Sequence, residues 1–549
     1  MRIHIPFVVM TAILAGIAGG LLGAEARKPN VLLIITDDQG YGDLACHGNS
    51  ILETPNLDRL HRTSIRLTNF HTDPTCSPTR AGLMSGRYST RTGVWHTVMG
   101  RHMPRPDEVL MPRFFADSGY RTAIFGKWHL GDNDPYRPQD RGFQEVLIHG
   151  GGGVGQIPDY WDNDYFDDTY FHNGKPRKFT GYCTDLFFNE ASRFIRANRD
   201  EPFFVYLTTN APHGPFRVDE KYSRPYADRV GGDMGLAQFY GMIANIDENV
   251  GRLMNMLDET GLSDNTILIF MTDNGTSRGA TFTDSRGNDG KMLRGYNAGM
   301  RGRKGSPYEG GHRVPCFIRW PTAGLKGGRD LDLLATHLDL LPTFIDLCGL
   351  KKPHGMPLDG TSLAPLLKDP SAPWPKRTLF VHHQELPFPE KWRFCSVMTD
   401  KWRLVNGHEL YDIRLDSGQT NDISNEHPET VKQLRAAYEE WWLDISVRFD
   451  EYASISIGKE IQRPARLTCF EWHSSRRWWQ PSIRSGFRDN GFWAIEVASS
   501  GVYEIELRRW PEEIDQPITA AIEGGKAIAA VTANIHIADV ERSKSIPLG

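Results

Sequence analysis

The sequence lacks several patterns that would assign it to a common class of functional site. Its seven cysteines are scattered and never form a Cys-x-x-Cys pair, which excludes a zinc knuckle and a thioredoxin-type redox centre. The formal net charge is only −5 over 549 residues, so nothing indicates a nucleic-acid partner. The glycine run Gly150–Gly153 lacks the flanking strand and helix of a phosphate-binding loop. What remains is a globular chain, long enough for about two to four domains.

The N-terminus has the features of a secretory signal peptide, which we predict over residues 1–26. Arg2 and His4 precede the apolar run Ile5–Leu22, and Ala24-Glu25-Ala26 fits a small-x-small cleavage site. An uncleaved anchor is the alternative, because the run is close to membrane-spanning length. We therefore expect an exported protein, periplasmic or secreted, without stable membrane insertion. Export permits disulfides, but we favour scattered buried thiols.

Short apolar runs that end in polar clusters predict the strands of a central sheet. The runs are unbroken rather than alternating, as expected for strands buried on both faces. They are Val31–Ile35, Thr122–Phe125, Phe203–Leu207 and Thr266–Met271. Helical patterns lie between them at Thr54–Arg62, Asp185–Asn198 and Leu236–Glu259. This alternation predicts an α/β fold with a large, mostly parallel mixed sheet between helix layers, over residues 27–374.

Two further regions follow the predicted sheet. Residues 375–453 predict a small antiparallel sheet covered by the helix Pro428–Ile445. Residues 454–549 predict an all-β appendage, with a β-sandwich as one form of it and a hairpin formed by Phe492–Val497 and Val502–Leu507. Its tryptophans would serve as core residues or stack on sugar rings, and we favour the core: Trp472, Trp478, Trp479, Trp493 and Trp510.

The segment from Cys76 to Arg80 indicates an anion-binding helix N-terminus. Pro78 favours the start of a helix there, and free N–H groups at such an end attract negative charge. Arg80 lies one turn further along, where its guanidinium can bind a tetrahedral oxyanion through two hydrogen bonds. A buried cysteine that merely precedes a helix is the simpler alternative.

An oxygen-rich set follows the first and fourth of the predicted strands. It consists of Asp37, Asp38, Asp273 and Asn274. Strands of an open α/β sheet bring their carboxyl ends to one edge, where ligands bind. Acidic side chains gathered at one place need a cation, and hard oxygen ligands suit Ca²⁺ or Mg²⁺ rather than zinc. Each dipeptide alone would more often be a turn.

Several stretches of the chain together resemble the type I sulfatases. Cys76-Ser77-Pro78-Thr79-Arg80 followed by Gly86 is similar to the first signature of that family, and Gly119–His129 to the second. The remaining matches fall in the family's order and rough spacing: Asp37-Asp38, Pro212-His213, Asp273-Asn274-Gly275 and Lys304. The resemblance covers about Lys28 to Ile445 and implies an alkaline-phosphatase-like fold. It also implies that a formylglycine-generating enzyme converts Cys76 to formylglycine.

The resemblance further implies a single divalent cation, with calcium expected and magnesium as the alternative. Five side chains would hold it: Asp37, Asp38, Asp273, Asn274 and the modified Cys76. The cation would polarise a sulfate oxygen.

Family roles carried over to the remaining positions complete an expected mechanism. A hydroxyl of the hydrated formylglycine would attack sulfur, with Asp273 accepting its proton. Arg80 and Lys127 would steady the hydrate, and Lys304 would face the sulfate. His213 would protonate the leaving oxygen, and His129 would take the proton of the second hydroxyl so that sulfate departs.

These features predict a sulfatase that hydrolyses the sulfate esters of a sulfated carbohydrate, with aryl sulfates as model substrates. The alternative within enzymes is a formylglycine-dependent phosphonate or phosphodiester hydrolase. The alternative of another class is a non-catalytic glycan-binding protein on the same fold. We expect substrate selection to reside in the loops 150–178 and 276–300 and in the region after residue 375.

Overall fold

A ten-stranded mixed sheet forms the centre of the protein. The computed structural model describes residues 27–279, 295–325, 327–352, 357–473 and 478–546. The predicted signal peptide lies outside these residues, as does much of the predicted loop 276–300. Among the described residues, no helix combines the length and the apolar character needed to cross a bilayer.

The strands are short, and most of them precede the C-terminal third of the chain. They are β1 (Asn30–Thr36), β2 (Ile65–Leu67), β3 (Phe70–His71), β4 (Arg121–Lys127), β5 (Glu145–His149), β6 (Thr169–His172), β7 (Lys175–Lys178), β8 (Phe203–Thr208), β9 (Thr266–Thr272), β10 (Cys316–Arg319), β11 (Arg329–Leu331), β12 (Ala335–Thr336), β13 (Leu379–His382), β14 (Cys395–Met398), β15 (Trp402–Val405), β16 (Glu409–Asp412), β17 (Ile455–Ile457), β18 (Ile495–Val497), β19 (Thr532–Ile537) and β20 (Val540–Ser545).

The helices vary in length from one turn to seven. They are α1 (Pro55–Thr63), α2 (Cys76–Ser85), α3 (Met111–Asp117), α4 (Cys183–Ala197), α5 (Glu220–Ala227), α6 (Met234–Glu259), α7 (Glu309–His312), α8 (Leu340–Cys348), α9 (Ala364–Lys368), α10 (Pro428–Ile445) and α11 (Gln480–Arg484).

The strand order of the central sheet is β11-β2-β10-β9-β1-β8-β4-β5-β6-β7. The five strands from β9 to β5 run parallel, while β10 pairs antiparallel with both β9 and β2. Every residue of β1, β8 and β9 is buried, which explains why their sequences are unbroken apolar runs. The four predicted strands are therefore the adjacent strands β9, β1, β8 and β4, and the predicted α/β fold is confirmed.

Helix layers cover both faces of the sheet. On one face, α4 and α6 bury Phe187, Met242 and Ile246 against side chains of β1, β4 and β8. On the other, α2, α3 and α8 pack around Leu33, Phe115 and their neighbours. Helix α6 begins after Asp233, whose carboxylate accepts a hydrogen bond from the backbone N–H of Leu236. The two layers hold the strand ends in place at the functional edge of the sheet.

The small C-terminal subdomain has the predicted architecture. Strands β13 to β16 form an antiparallel sheet in sequence order, and α10 has the predicted bounds. Tyr438, Trp441 and Trp442 of α10 pack on that sheet. A fully buried ion pair joins this subdomain to the catalytic region, because Arg403 donates to Glu309 at 2.6 Å.

The last region differs from its prediction. Its described part holds the short strands β17 to β20 and helix α11, and the strands form two separate two-stranded ladders rather than the facing sheets of a sandwich. The predicted hairpin is wrong, because β18 pairs in parallel with β17 and residues 502–507 form no strand. Alternation identifies a strand-like segment, but it does not select the partner.

The last region makes backbone contacts with the domain that contains the central sheet. The N–H groups of Met99 and Ile157 donate to the carbonyls of Phe470 and Trp478 at 3.0 and 2.8 Å. Trp510 is buried against Trp161, which fits the core role that we favoured, whereas Trp472, Trp478, Trp479 and Trp493 are only half-buried. The last region therefore packs against the domain that contains the central sheet.

Candidate active site

The four central strands deliver polar side chains to one edge of the sheet. Asp37 and Asp38 follow β1, Lys127 ends β4, and Asp273 and Asn274 follow β9. Because these strands are parallel and adjacent, their carboxyl ends meet. The convergence predicted from the polar clusters is present in the structure.

Helix α2 presents Cys76 to this edge. The helix begins at Cys76, two residues before Pro78, so the proline lies in the first turn, where a missing N–H costs nothing. The Oγ of Ser77 donates to the carbonyl of His129 at 3.0 Å and that of Thr79 donates to the carbonyl of Asp73 at 2.9 Å, which anchors the helix start. Burial raises the pKa of the Cys76 thiol. An unmodified thiol here would therefore be a poor nucleophile.

Three basic side chains pair with the three carboxylates. The Nζ of Lys127 lies 2.6 Å from Asp37, and a guanidinium nitrogen of Arg80 lies 3.0 Å from Asp273. All four of these side chains are fully buried. The site thus has three positive and three negative side chains once Lys304 and Asp38 are included.

Lys304, in its glycine-rich loop, reaches the site, whereas Arg301 and Arg313 have other partners. Its Nζ lies 2.7 Å from Asp38. Arg301 instead donates to the hydroxyl of Tyr411, and Arg313 donates to the carbonyl of Thr68. The structure thereby distinguishes Lys304 from its arginine neighbours, which the sequence could not do.

The carboxylates of the site differ in their protonation. Burial would raise the pKa of Asp38, but Lys304, His213 and Lys127 together hold it well below its usual range. Burial and the neighbouring charge of Asp37 raise the pKa of Asp273 to about 7. Asp38 is therefore an anion at neutral pH, while Asp273 can take up a proton there.

The donor set of this edge fits a hard divalent cation. Sulfur or oxygen atoms of Asp37, Cys76 and Asp273 lie within 4.8 Å of one another, and all three residues are buried. Asp37 Oδ1 and Asn274 Oδ1 are buried without a hydrogen-bond partner. The backbone N–H of Asp38 donates to Asp273 Oδ1, and the Asn274 amide donates to Asp38 Oδ1, both at 3.0 Å. Buried oxygen atoms without a hydrogen-bond partner destabilise the folded protein unless they coordinate a cation.

Two histidines flank the carboxylates. His129 Nε2 donates to the carbonyl of Thr97 at 2.8 Å, so its Nδ1, buried and without a partner, carries the lone pair. His213 Nδ1 donates to the carbonyl of Gly214 at 2.7 Å, and its Nε2 lies 3.8 Å from Asp38 Oδ2. Burial and the charge of Lys304 lower the pKa of His213 to about 4. Both rings are thus neutral near pH 7 and oriented by backbone carbonyls.

The glycine run 150–153, which begins the loop that we expected to select the substrate, lies against the site. A Cβ atom on Gly152 would lie 2.3 Å from His129 Nε2, and one on Gly153 would lie 3.6 Å from His213 Nδ1. The backbone therefore passes close to both histidines. The run of consecutive glycines was the sequence signal for this contact, because glycine lets other groups approach the backbone closely.

His71 and His312 form a separate buried cluster. Their Nδ1 atoms lie 3.0 Å apart, and His71 Nε2 donates to Asn69 at 2.7 Å. Glu309 lies beside them, but Arg403 and Arg313 already neutralise its charge. This cluster belongs to the junction with the C-terminal subdomain.

Comparison with known families identifies both halves of the core. The Sulfatase family model matches residues 29–350. A second model, N-sulphoglucosamine sulphohydrolase, C-terminal, matches residues 303–442.

Curated relatives align over the same region. The chain is 33% identical over 373 residues to N-acetylgalactosamine-6-sulfatase of Mus musculus, covering 63% of this chain and 68% of the relative. It is 31% identical over 485 residues to arylsulfatase A of Homo sapiens, covering 77% of this chain and 89% of the relative.

Solved structures share the fold. Ps i-CgsB in complex with k-i-k-neocarrahexaose superposes with a TM-score of 0.67 at 27% identity, over 77% of this chain and 99% of that one. The phosphonate monoester hydrolase of Agrobacterium radiobacter superposes with a TM-score of 0.54 at 20% identity, over 77% of this chain and 96% of that one. The latter likeness is one of fold alone.

Proposed function

The chain belongs to the sulfatase family, and on that premise we propose that it removes sulfate from a carbohydrate by means of a formylglycine formed from Cys76 and one divalent cation. The sulfatase assignment itself rests on the family match over most of the catalytic region. The mechanism and the substrate class are the parts that we propose.

One observation carries the mechanistic proposal. Cys76, at the N-terminus of α2, shares a buried space with Asp37 and Asp273, and three basic side chains surround it. A sulfate ester needs positive charge around its oxygens and a nucleophile near its sulfur. This arrangement supplies both at one point.

Formylglycine at position 76 would supply a hydrated aldehyde, with one hydroxyl to attack sulfur and a second through which the sulfate can be released. Asp37, Asp38, Asp273 and Asn274 have the oxygen atoms to hold a calcium or magnesium ion, which would polarise a sulfate oxygen. Arg80 and Lys127 are buried and paired, so they keep fixed positions beside residue 76.

The remaining side chains are suited to moving protons. Asp273, which shares the buried space beside Cys76, is placed to accept a proton from an attacking hydroxyl. His129 has its lone pair on Nδ1, because Nε2 donates to Thr97, and can accept a proton at that atom. His213 and Lys304 both lie beside Asp38, where they can contact the sulfate and the departing oxygen.

Names of the relatives support a carbohydrate substrate. N-acetylgalactosamine-6-sulfatase is named for an amino-sugar sulfate, and the solved neighbour Ps i-CgsB contains a neocarrahexaose. The proposal includes export of the chain, supported by the signal-like residues 1–26. An exported enzyme would encounter sulfated polysaccharides outside the cytoplasm.

Mass spectrometry of the peptide containing Cys76 tests the nucleophile. The protein would be produced together with a formylglycine-generating enzyme, and the expected peptide has an aldehyde or its hydrate in place of the thiol. An unmodified thiol in the presence of an active maturing enzyme would contradict the mechanism. The non-catalytic glycan-binding alternative would then be favoured.

Parallel assays test the reaction and the cation. Turnover of 4-nitrophenyl sulfate should exceed that of an aryl phosphodiester, and the opposite preference would favour the phosphonate or phosphodiester hydrolase. Chelation should abolish turnover, and added Ca²⁺ or Mg²⁺ should restore it. Full activity after chelation and removal of all divalent ions would contradict the proposed cation.

A further inference from the structure

Three exposed aromatic rings form a continuous strip on the surface. Phe388, Tyr452 and Phe492 are 47%, 38% and 48% exposed. Ring centroids are 6.4 Å apart between Phe388 and Tyr452 and 5.7 Å apart between Tyr452 and Phe492. Only two other aromatic side chains among the described residues reach comparable exposure, Phe166 and Tyr503. The exposed aromatic residues are therefore concentrated at one place.

The strip is held rigidly from below. The Arg101 guanidinium is buried and lies 4.3 Å from the Tyr452 ring centre, 5.1 Å from that of Phe388 and 4.5 Å from that of Trp95. One of its nitrogens donates to the carbonyl of Glu451 at 2.6 Å. Stacking on a fixed cation holds the rings in one orientation. The side chains therefore lose less conformational entropy when a ligand binds.

His473 supports the other end of the strip. Its ring lies 4.6 Å from that of Tyr452 in an edge-to-face arrangement and 5.1 Å from that of Phe492 in a stacked one. The same ring fills the space beside Gly100, where a Cβ atom would come within 2.5 Å of it. Tyr452 and Phe492 are thus fixed against the loop that contains Gly100.

That loop connects the strip to the active site. Trp95 and Arg101 close it through a backbone hydrogen bond of 3.1 Å, and Thr97 within it accepts the hydrogen bond of His129. Arg101 follows Thr97 by four positions, so the Cα atoms of the two residues are no more than about 14 Å apart. The strip and His129 therefore contact the same short loop.

We propose that Phe388, Tyr452 and Phe492 form a stacking platform for pyranose rings that flank the sulfated ring of an oligosaccharide substrate. This inference rests on the proposed carbohydrate sulfatase function and adds where the rest of the glycan binds. The apolar C–H face of a pyranose matches a rigid aromatic surface, and half-exposed rings leave one face available to it. Arg101 beneath the strip adds positive charge, which suits an anionic glycan.

The composition of the platform assigns a role to the last region of the chain. Phe388 belongs to the C-terminal subdomain, Tyr452 follows α10, and Phe492 belongs to the last region. A small aryl sulfate has no further sugar rings to place on the platform. The platform should therefore affect long substrates and leave small ones unchanged.

The test compares a platform variant with a matched surface variant in the full-length protein. The variant Phe388→Ala/Phe492→Ala removes two half-exposed rings, and Leu443→Ala removes an apolar side chain that is 68% exposed on α10. Calorimetry would measure binding of carrageenan and chondroitin sulfate hexasaccharides, and steady-state assays would use 4-nitrophenyl sulfate.

We expect the double variant to weaken binding of the hexasaccharide that the native protein binds best by roughly tenfold, in line with two lost ring contacts. Its KM and kcat for 4-nitrophenyl sulfate should equal those of the native protein, as should both parameters of Leu443→Ala. Unchanged hexasaccharide binding by the double variant, or no hexasaccharide binding by the native protein, would overturn the platform. Absent turnover of 4-nitrophenyl sulfate together with ring-dependent glycan binding would overturn the proposed function and leave the platform standing.

Discussion

The catalytic sheet and the last region of the chain use similar residues with opposite results. In β1, β8 and β9, apolar side chains are completely buried and strands pair along their full length. Between residues 495 and 507, comparable apolar side chains alternate with charges, and Val502, Ile505 and Leu507 are exposed. A strand that is buried on both faces fits only one position in the fold. A strand with one polar face can pair with several alternative partners.

The same contrast applies to function. In the sheet, the chemistry follows directly from topology, because the residues after parallel strands must meet. In the last region, the role of Phe470, His473 and Phe492 follows only from their contacts with the loop 95–101 and with the C-terminal subdomain. Removing residues from each region should therefore have different consequences, and four experiments examine this.

The largest effect is expected at the helix start. Cys76→Ala removes the nucleophile precursor, so turnover of 4-nitrophenyl sulfate should fall by about 10⁴-fold or more. The far-ultraviolet circular dichroism spectrum should be unchanged, because the side chain is small and α2 is anchored by Ser77 and Thr79. Residual activity above a few per cent would argue that residue 76 is not the nucleophile.

The stability contrast between the two regions comes next. Leu33 is fully buried in β1 between β8 and β9, and Leu33→Ala should lower the free energy of unfolding by about 2 to 5 kcal/mol. Val502 is fully exposed, and Val502→Ala should change the free energy of unfolding by less than about 0.5 kcal/mol. Urea denaturation measures both. A comparable loss in the two variants would mean that residues 502–507 are packed in solution.

A glycine pair sharpens the comparison within loops. Gly152→Ala places a methyl group against His129, which should shift the ring and lower kcat by roughly 100-fold. Gly501→Ala in the last region meets no atom within 4 Å and should leave kcat unchanged. Thermal unfolding of both variants should resemble that of the native protein. Normal kcat in Gly152→Ala would place the loop away from the reacting groups.

The smallest effect concerns a buried glutamate of the last region. Burial, aided by the charge of Asp132, raises the pKa of Glu471 to about 7. The pKa of Glu471 is higher in the folded state than the unfolded value of 4.5. Its contribution to stability is therefore complete below pH 4.5 and is lost as the pH rises through 7. Glu471→Gln should therefore gain stability over the native protein between pH 5 and pH 8, by roughly 3 kcal/mol at most.

Glu309 provides the control of opposite sign. Burial would raise its pKa, but Arg403 holds it well below the usual range. Its stabilisation is therefore present at neutral pH and is lost as the pH falls below the unfolded value. Glu309→Gln should be less stable than the native protein at pH 7 and closer to it at pH 4. Urea midpoints that differ from the native value equally at both pH values in either variant would contradict the assigned protonation.

Much of the fold and of the candidate site could be predicted from patterns in the chain. The central strands and the helices α1, α4 and α6 lie within two residues of their predicted bounds, and α10 matches them. Long helices and doubly buried strands have strong periodic signals. All ten predicted site residues lie at one edge of the sheet, although their roles remain proposals.

Other parts of the prediction failed for a physical reason. The hairpin at residues 492–507 was wrong because β18 found a parallel partner forty residues earlier in the chain. The expectation that the loop 150–178 selects the substrate did not include the approach of Gly152 to His129, because sequence does not show what a backbone approaches.

The sequence by itself determined the sulfatase resemblance, the α/β class and the identity of the polar residues after each strand, because these depend on local patterns and on parallel topology. Only the tertiary structure decided that Lys304 rather than its arginine neighbours reaches Asp38, that Gly152 lies against His129, and that Phe388, Tyr452 and Phe492 share one surface. These facts depend on contacts between residues far apart in the chain, and such contacts leave no local pattern to read.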